Sequence, residues 1–170
     1  MSTRNSIHRT ARRQGFSLIE LVIVVVIIGI IAAIAIPRLS RGAAGASDSA
    51  VSGDLAVLRT AVDLFSTEHG GSYPSTANFP NYMLNYTDVN AASFSTSKTG
   101  TCIYGPYLRS IPTLTVGPSG YKNTNTIIDS SAGTFGASAG AWWYNATTGQ
   151  INANLDNTQS DASGKTYNSY

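Results

Sequence analysis

The chain has 170 residues, enough for one domain with a modest hydrophobic core and too few for a second sizeable one. Only 12% of the residues are charged and the formal net charge is +2. Beyond residue 41 the basic residues are scattered, which argues against nucleic acid as a partner, because phosphate binding needs clustered Lys and Arg. No metal-ligand spacing, phosphate loop or paired-carboxylate motif appears, so the composition predicts a protein that is not an enzyme.

The amino-terminal segment is basic and leads into a long apolar run. Leu21 to Ile36 is an uncharged stretch of 16 residues, and Glu20 directly precedes it. The segment from Phe16 to Ile36 would span about 31 Å as a helix, close to the thickness of a bilayer core. A carboxylate in hydrocarbon costs at least about 2.5–3.5 kcal/mol, so Glu20 is expected to have a partner charge or a special role. The segment before Gly15 contains no acid and four arginines: Arg4, Arg9, Arg12 and Arg13.

The stretch Gly15-Phe16-Ser17-Leu18-Ile19-Glu20 resembles the processing site of type IV prepilins and type II secretion pseudopilins. The resemblance implies that a membrane aspartic peptidase cuts after Gly15 and methylates the new amino terminus at Phe16. It also implies that Glu20 is the assembly glutamate, which pairs with the amino terminus of a neighbouring subunit. The filament-core helix would contain Leu18, Leu21, Gly29 and Pro37.

An ordinary secretory signal is the alternative interpretation of this segment, with Ala33-Ile34-Ala35 as its cleavage site. Three features count against it: Glu20 would lie inside the apolar region, the run is already long, and Pro37 follows the supposed site. The basic leader favours a cytoplasmic amino terminus and a periplasmic carboxy-terminal head. We therefore expect a single-pass protein of the bacterial inner membrane.

Beyond the membrane-length run, Pro37 is expected either to end the helix or to kink it. Apolar residues then recur at steps of four and three residues, which predicts one apolar helical stripe that docks onto a sheet. Arg59 and Asp63, four residues apart, form a candidate ion pair. Gly70-Gly71 should end the helix, giving about 80 Å of helix from Phe16 to His69. The docking stripe comprises Val51, Leu55, Leu58, Val62 and Phe65.

The remaining sequence predicts short strands between turns, hence an α+β fold in which a long helix packs on a small antiparallel sheet. The clearest prediction is a hairpin from Trp142 to Ile151, with either Trp142 or Trp143 covering the stripe. Cys102 is expected to be a buried small hydrophobe, and His69 a helix-end residue facing a cap or solvent. Strands are expected at residues 102–104, 114–116, 126–128, 141–144 and 150–153.

The predicted organisation is a leader at 1–15, a transmembrane assembly helix at 16–38, an amphipathic half-helix at 39–69, a periplasmic head at 70–155 and a flexible tail at 156–170. The stretches 70–75 and 105–108 and the late hairpin resemble the major pseudopilin of type II secretion, the general secretion pathway protein G type. That resemblance raises calcium as a cofactor, with Asp156 and Asp161 as candidate ligands. Their spacing matches no recognised calcium loop, so no cofactor is expected and a solvated tail is the favoured interpretation.

The resulting hypothesis is a structural subunit that polymerises through its amino-terminal helix into a type II secretion pseudopilus. The single Cys102 favours it, because many type IV pilins close their carboxy-terminal region with a disulfide. The alternative is a major or minor type IV pilus subunit for adhesion, motility or DNA uptake. The resemblance implies as partners other copies of the chain, minor pseudopilins, the prepilin peptidase, an inner-membrane assembly platform with a cytoplasmic ATPase, and membrane lipid before assembly.

Overall fold

The computed structural model describes residues 15–170. The predicted leader lies outside the described residues except for Gly15, and so do its four arginines. The described chain falls into two compact units that divide after Arg41. The first, here called the anchor, is described from Gly15 to Arg41, and the second, here called the head, is Gly42 to Tyr170.

Helix α1 spans Leu18–Glu68 and continues through Pro37. Within the described part of the anchor almost every side chain is exposed, although the helix is apolar on all sides from Leu21 to Ile36. Within the head the same helix is amphipathic, and one face is buried. Gly70 and Gly71 follow it with φ angles of 62° and 87°, the left-handed backbone that ends a helix at little cost in glycine.

Helix α2, Phe79–Leu84, and two short strands, β1 (Tyr86–Thr87) and β2 (Phe94–Ser95), come next and were not predicted. β1 and β2 form an antiparallel hairpin. They escaped prediction because two-residue strands carry too few side chains for a period-two pattern. Of the predicted strand at 102–104, only a bridge from Tyr104 to Thr87 forms.

The second sheet contains β3 (Ile127–Asp129), β4 (Trp142–Tyr144) and β5 (Ile151–Ala153). β4 and β5 form the expected antiparallel hairpin, but β3 runs parallel to β4, so the sheet is mixed rather than antiparallel. Residues 130–141 connect β3 to β4, and a connection of this length can return the chain to the same end of the sheet. Residues 114–116 form no strand; Leu114 instead exchanges backbone hydrogen bonds with Asn123 and Thr124.

The core of the head lies between α1 and the mixed sheet. Trp142 and Tyr144 are fully buried on the inner face of β4, and Trp142 Nε1 donates to the Pro112 carbonyl over 2.8 Å. Trp143 points to the other face, where its ring lies 4.7 Å from that of Phe135. Alternation along the strand therefore assigns the covering role to Trp142.

The stretch 156–170 is folded onto the head, in contrast to the expected flexible tail. Ser160 and Thr166 form a β-bridge, and Tyr167–Ser169 form a 3₁₀ turn. Tyr167 and Asn168 are buried. The sequence stretch has few aliphatic residues, but its aromatic rings and polar side chains find partners on α1 and β5. We call this stretch the carboxy-terminal strap.

Candidate assembly site

The start of α1 is closed by a capping interaction that the sequence analysis missed. Glu20 Oε2 accepts a hydrogen bond from the backbone N–H of Ser17 over 2.9 Å, and the Leu21 N–H donates to the Ser17 carbonyl over 3.2 Å. The sequence Ser17-Leu18-Ile19-Glu20 has the spacing of a capping box, in which the acid three residues into the helix bonds back to the cap. A Ser followed three residues later by Glu, just before an apolar run, is a sequence pattern that predicts such a cap.

Gly15 and Phe16 precede the helix and have no regular secondary structure. Apart from its two chain neighbours, no described residue places an atom within 4 Å of the position that a Cβ on Gly15 would occupy, so the described fold imposes no need for glycine there. The Phe16 side chain is exposed. The requirement for glycine that the prepilin resemblance implies would therefore come from a processing enzyme and not from folding.

The predicted filament-core residues Leu18, Leu21, Gly29 and Pro37 are all exposed along α1. Among the described residues, α1 is the one helix that is long and apolar enough to cross a membrane, as judged by length and composition. A contiguous exposed apolar surface of this extent is not stable in water, since burying apolar area is favourable by about 25 cal/mol per Å². The anchor needs lipid or other protein around it.

The docking stripe is completely removed from solvent. Val51, Leu55, Leu58, Val62 and Phe65 each have 0% exposure and belong to one hydrophobic core with Trp142 and Tyr144. Their spacing keeps them on one face of the helix. This face fixes the head to its own segment of α1.

Arg59 lies beside the stripe and ties three parts of the head together. Its Nη2 donates to the Ile151 carbonyl over 3.1 Å, to Asn152 Oδ1 over 3.0 Å and to the Tyr170 carbonyl over 2.6 Å. The expected bond to Asp63 is not among these contacts. A half-buried guanidinium gains more from three oxygen acceptors than from an exposed ion pair on its own helix.

His69 is buried, so of the two expected roles at the helix end it has the cap and not the solvent-facing one. Its ring stacks on Phe65 with centroids 3.8 Å apart. Nδ1 lies 2.7 Å from the Phe65 carbonyl and must therefore carry the proton, and Nε2 lies 3.1 Å from Thr87 Oγ1. The histidine thus joins the end of α1 to the β1–β2 hairpin.

The carboxylates of the two calcium candidates, Asp156 and Asp161, accept hydrogen bonds from residues of the strap. Asp156 Oδ1 accepts from the amide and hydroxyl of Thr158. Asp161 Oδ1 accepts from the amides of Ser163 and Lys165 and from the Ser163 hydroxyl, while Oδ2 accepts from the Tyr170 hydroxyl over 2.6 Å. Over the described part of the chain, no group of three acidic, His or Cys side chains converges as a metal site.

The Tyr170 and Ser163 hydroxyls, in that order of effect, hold the pKa of the Asp161 carboxyl below its ordinary value. Burial, followed by the hydrogen bond to Asp161, raises the pKa of the Tyr170 hydroxyl to about 12. Both directions describe one contact between a neutral phenol and an ionised carboxylate. The ionised Asp161 carboxylate therefore holds the two ends of the strap together, and both of its oxygens accept hydrogen bonds within the strap.

Asp48 holds the strap from the helix side. Its Oδ1 accepts from the Tyr167 hydroxyl over 2.5 Å, and its Oδ2 accepts from the Ala162 amide over 3.2 Å. Asp48 and Arg59 thus contact the strap from two points of α1 three turns apart. Sequence reasoning had no signal for these contacts of Asp48, because its partners are more than 110 residues away.

Residues 10–36 match a protein-family model described as the prokaryotic N-terminal methylation motif. The match contains the Gly15-Phe16 junction, the capped Glu20 and most of the exposed apolar helix. Together with the fold, the motif indicates a type IV pilin-like subunit, a class of structural and non-catalytic proteins that assemble into filaments. No curated protein and no solved structure matches the chain.

Proposed function

We propose that this chain is a structural subunit of a type II secretion pseudopilus. The observation that supports a filament subunit is the Gly15-Phe16 junction followed four residues later by Glu20, a lone carboxylate at the start of an exposed apolar helix. The single Cys102 favours the pseudopilus over a type IV pilus. A prepilin peptidase would cut after Gly15 and methylate Phe16. The mature chain would then carry a positive amine close to the carboxylate that caps its own helix.

Assembly follows from the charge on both groups. A buried charge without a partner costs several kcal/mol, and an opposite charge at hydrogen-bond distance offsets that cost. The cap to Ser17 uses one of the two Glu20 oxygens. Because a carboxylate can accept several hydrogen bonds, Glu20 can receive the amine of a neighbouring copy without giving up the cap. Each added copy is thereby set in axial register.

The apolar surface of the anchor supplies the energy of packing once the register is set. Residues Leu18 to Ile36 would exchange lipid for the helices of other copies. Because lipid tails are as apolar as these side chains, close packing and the charge pair, more than the hydrophobic effect, would drive this exchange. A cytoplasmic ATPase acting through an inner-membrane assembly platform would supply the work of extraction.

The proposed topology places the leader in the cytoplasm, α1 across the inner membrane and the head in the periplasm. The basis is the excess of arginines before the apolar run over Arg38 and Arg41 after it. Removal of residues 1–15 leaves seven basic and nine acidic residues, a side-chain charge of −2. The mature protein therefore has no electrostatic reason to bind nucleic acid.

The proposal is tested in two stages on the native protein. Intact mass and amino-terminal sequencing should give a chain that begins at methylated Phe16; a chain that begins at Met1 or after Ala35 would contradict the assignment. Deletion of the gene should then abolish export of secreted enzymes to the medium. Normal export together with loss of surface filaments would instead assign the chain to a type IV pilus.

A further inference from the structure

A cavity of about 580 Å³ lies at the outer edge of β5, the last strand of the mixed sheet. Helix α1 forms one wall, the turn between β4 and β5 a second, and the end of the carboxy-terminal strap a third. Phe135, in the connection between β3 and β4, also lines it. The volume is within the range of about 300–1,000 Å³ that is typical of small-molecule sites. We call it the edge cavity.

Two opposite charges on α1, Arg59 and Asp63, line the edge cavity. The three hydrogen bonds of Arg59 all use Nη2, so among the described residues Nη1 and Nε have no acceptor. Asp63 accepts from Thr67 through its backbone carbonyl, and within the described chain no group donates to its carboxylate. The wall therefore presents free donors and a free acceptor one helical turn apart, and their charges cancel.

Asn168, on the strap wall, adds a buried acceptor. Its side chain is only 8% exposed, and Nδ2 donates to Asn157 Oδ1 over 2.9 Å. Among the described residues no donor reaches Asn168 Oδ1, yet this oxygen is not sealed from solvent. An acceptor on a side chain this deeply buried costs free energy unless a donor satisfies it. Because Asn168 lines the edge cavity, a ligand there can supply that donor.

The backbone carbonyls beside the edge cavity already have donors. Peptides that bind at the edge of a sheet do so through backbone hydrogen bonds. Here the Ile151 carbonyl accepts from Arg59 over 3.1 Å, and the Asn168 carbonyl accepts from Asn152 Nδ2 over 3.1 Å. Side chains of the head thus use acceptors that an added strand would need. The groups left for a ligand belong to side chains.

We propose that the edge cavity binds a neutral saccharide of one or two rings. A hydroxyl group both donates and accepts hydrogen bonds, so one sugar hydroxyl can donate to Asp63 and accept from Arg59. A second hydroxyl can donate to Asn168 Oδ1. An anion would pair with Arg59 but face the Asp63 carboxylate and the Asn168 oxygen, and a cation would face Arg59. The mixed donors and acceptors therefore select an uncharged polyhydroxy ligand.

Two further side chains of the edge cavity fit a sugar ring. Gln150 is exposed and presents a planar amide, which can donate to one hydroxyl and accept from another. The Phe135 ring lies 4.7 Å from that of Trp143, which holds it at the cavity. The face of an aromatic ring carries partial negative charge, which attracts the C–H groups of a sugar. All these residues belong to the head, so binding does not require filament assembly.

Titration of the full-length protein tests the site, in a detergent whose headgroup is not a sugar. The probes are cellobiose, maltose and N,N′-diacetylchitobiose at millimolar concentrations, and the measurements are calorimetry and tryptophan emission. We expect saturable binding of at least one of the three, with a change in emission because Phe135 lies against Trp143. Saturable binding of none of them would overturn the proposal.

Matched variants locate the binding. Asp63→Ala and Phe135→Ala should each weaken the affinity about tenfold, the effect of losing one good contact. Thr60→Ala, exposed on the same helix, and Phe94→Ala, an exposed aromatic, lie outside the edge cavity and should leave the affinity unchanged. Because Asp63 is exposed, unfolding of Asp63→Ala should match that of the parent, which separates lost binding from lost folding. Parent affinity in both cavity variants would overturn the proposal by placing the sugar elsewhere.

Two competing probes distinguish the class of ligand. Glucuronate carries a carboxylate on a sugar ring, and tetraglycine offers peptide backbone without side chains. We expect both to bind more weakly than the best neutral disaccharide. Tighter binding of glucuronate would overturn the proposal in favour of an anion site at Arg59, and tighter binding of tetraglycine would overturn it in favour of a peptide site.

Discussion

The Ser17 backbone N–H donates to Glu20 Oε2 over 2.9 Å, so the carboxylate that the motif marks for assembly also caps its own helix. In the membrane this matters, because an unsatisfied amide in hydrocarbon costs several kcal/mol. Glu20 therefore has one role within the subunit and a second, proposed role between subunits. Substitutions that keep one role and remove the other separate them.

Glu20→Gln keeps an oxygen that can accept from Ser17 but removes the charge, while Glu20→Ala removes both. If the charge pair drives assembly, both variants should be inserted, cleaved and methylated, and neither should form filaments alone. The measurement is filament yield beside the fraction of processed subunit. Co-expressed wild type should restore some incorporation, because a variant copy still offers its own amine. Wild-type yields from Glu20→Gln alone would assign Glu20 to capping rather than to pairing.

Gly15→Leu should block maturation without disturbing the fold. The structure leaves open space at this position, so the helix and head have no reason to change. The reason for the block would be a peptidase pocket that accepts no side chain beside the scissile bond. Immunoblots should show the uncleaved chain in the inner membrane, with Gly15→Ala as the milder matched change. Normal maturation of Gly15→Leu would argue against prepilin processing.

Arg59→Met should destabilise the head. The substitution keeps most of the aliphatic stem but leaves the carbonyls of Ile151 and Tyr170 and the Asn152 side chain without their donor. A hydrogen-bonded charged group of this kind contributes about 1.5–3 kcal/mol to stability. Denaturant unfolding of the mature protein in detergent, followed by the fluorescence of Trp142 and Trp143, would measure the loss. Exposed Lys122→Met is the control and should have little effect.

Closure of the strap should weaken in acid. The pKa of Asp161 is lower in the folded head than its ordinary value of 3.8. A lowered folded-state pKa adds stability above that ordinary value and loses it as the pH falls through the folded-state pKa. Asp161→Asn should therefore flatten the acid limb of the stability curve of the mature protein. Tyr170→Phe should flatten it in part, because it removes the largest cause of the shift.

The hydrogen bond between Tyr170 and Asp161 should also lose its contribution to stability in alkali, when the tyrosine ionises. The folded-state pKa of Tyr170 is raised to about 12, so its contribution is present below the ordinary value of 10.0 and is lost as the pH rises toward 12. Absorbance of the tyrosinate band in wild type and Tyr170→Phe measures this step. An acid limb identical in wild type, Asp161→Asn and Tyr170→Phe would show that the strap contact adds nothing to stability.

The sequence by itself determined the features that depend on neighbouring residues. The Gly15-Phe16 junction, the position of Glu20 and the uncharged run are read directly from residue order. The docking stripe follows from helical periodicity, and all five of its residues are buried in the structure. The β4–β5 hairpin follows from two apolar runs around turn residues. Each of these signals lies within one helix or one hairpin.

Only the tertiary structure decided the long-range partners. Arg59 donates hydrogen bonds to residues that lie 92 to 111 positions further along the chain. The presence of Asp63 four residues after it does not indicate which distant residues these are. The parallel pairing of β3 with β4, the burial of His69 and the folding of the strap depend in the same way on where distant segments meet. Periodicity reports which face of an element is apolar. It does not report which distant surface will cover that face, because many chain paths bury the same area and only packing and hydrogen bonding choose among them.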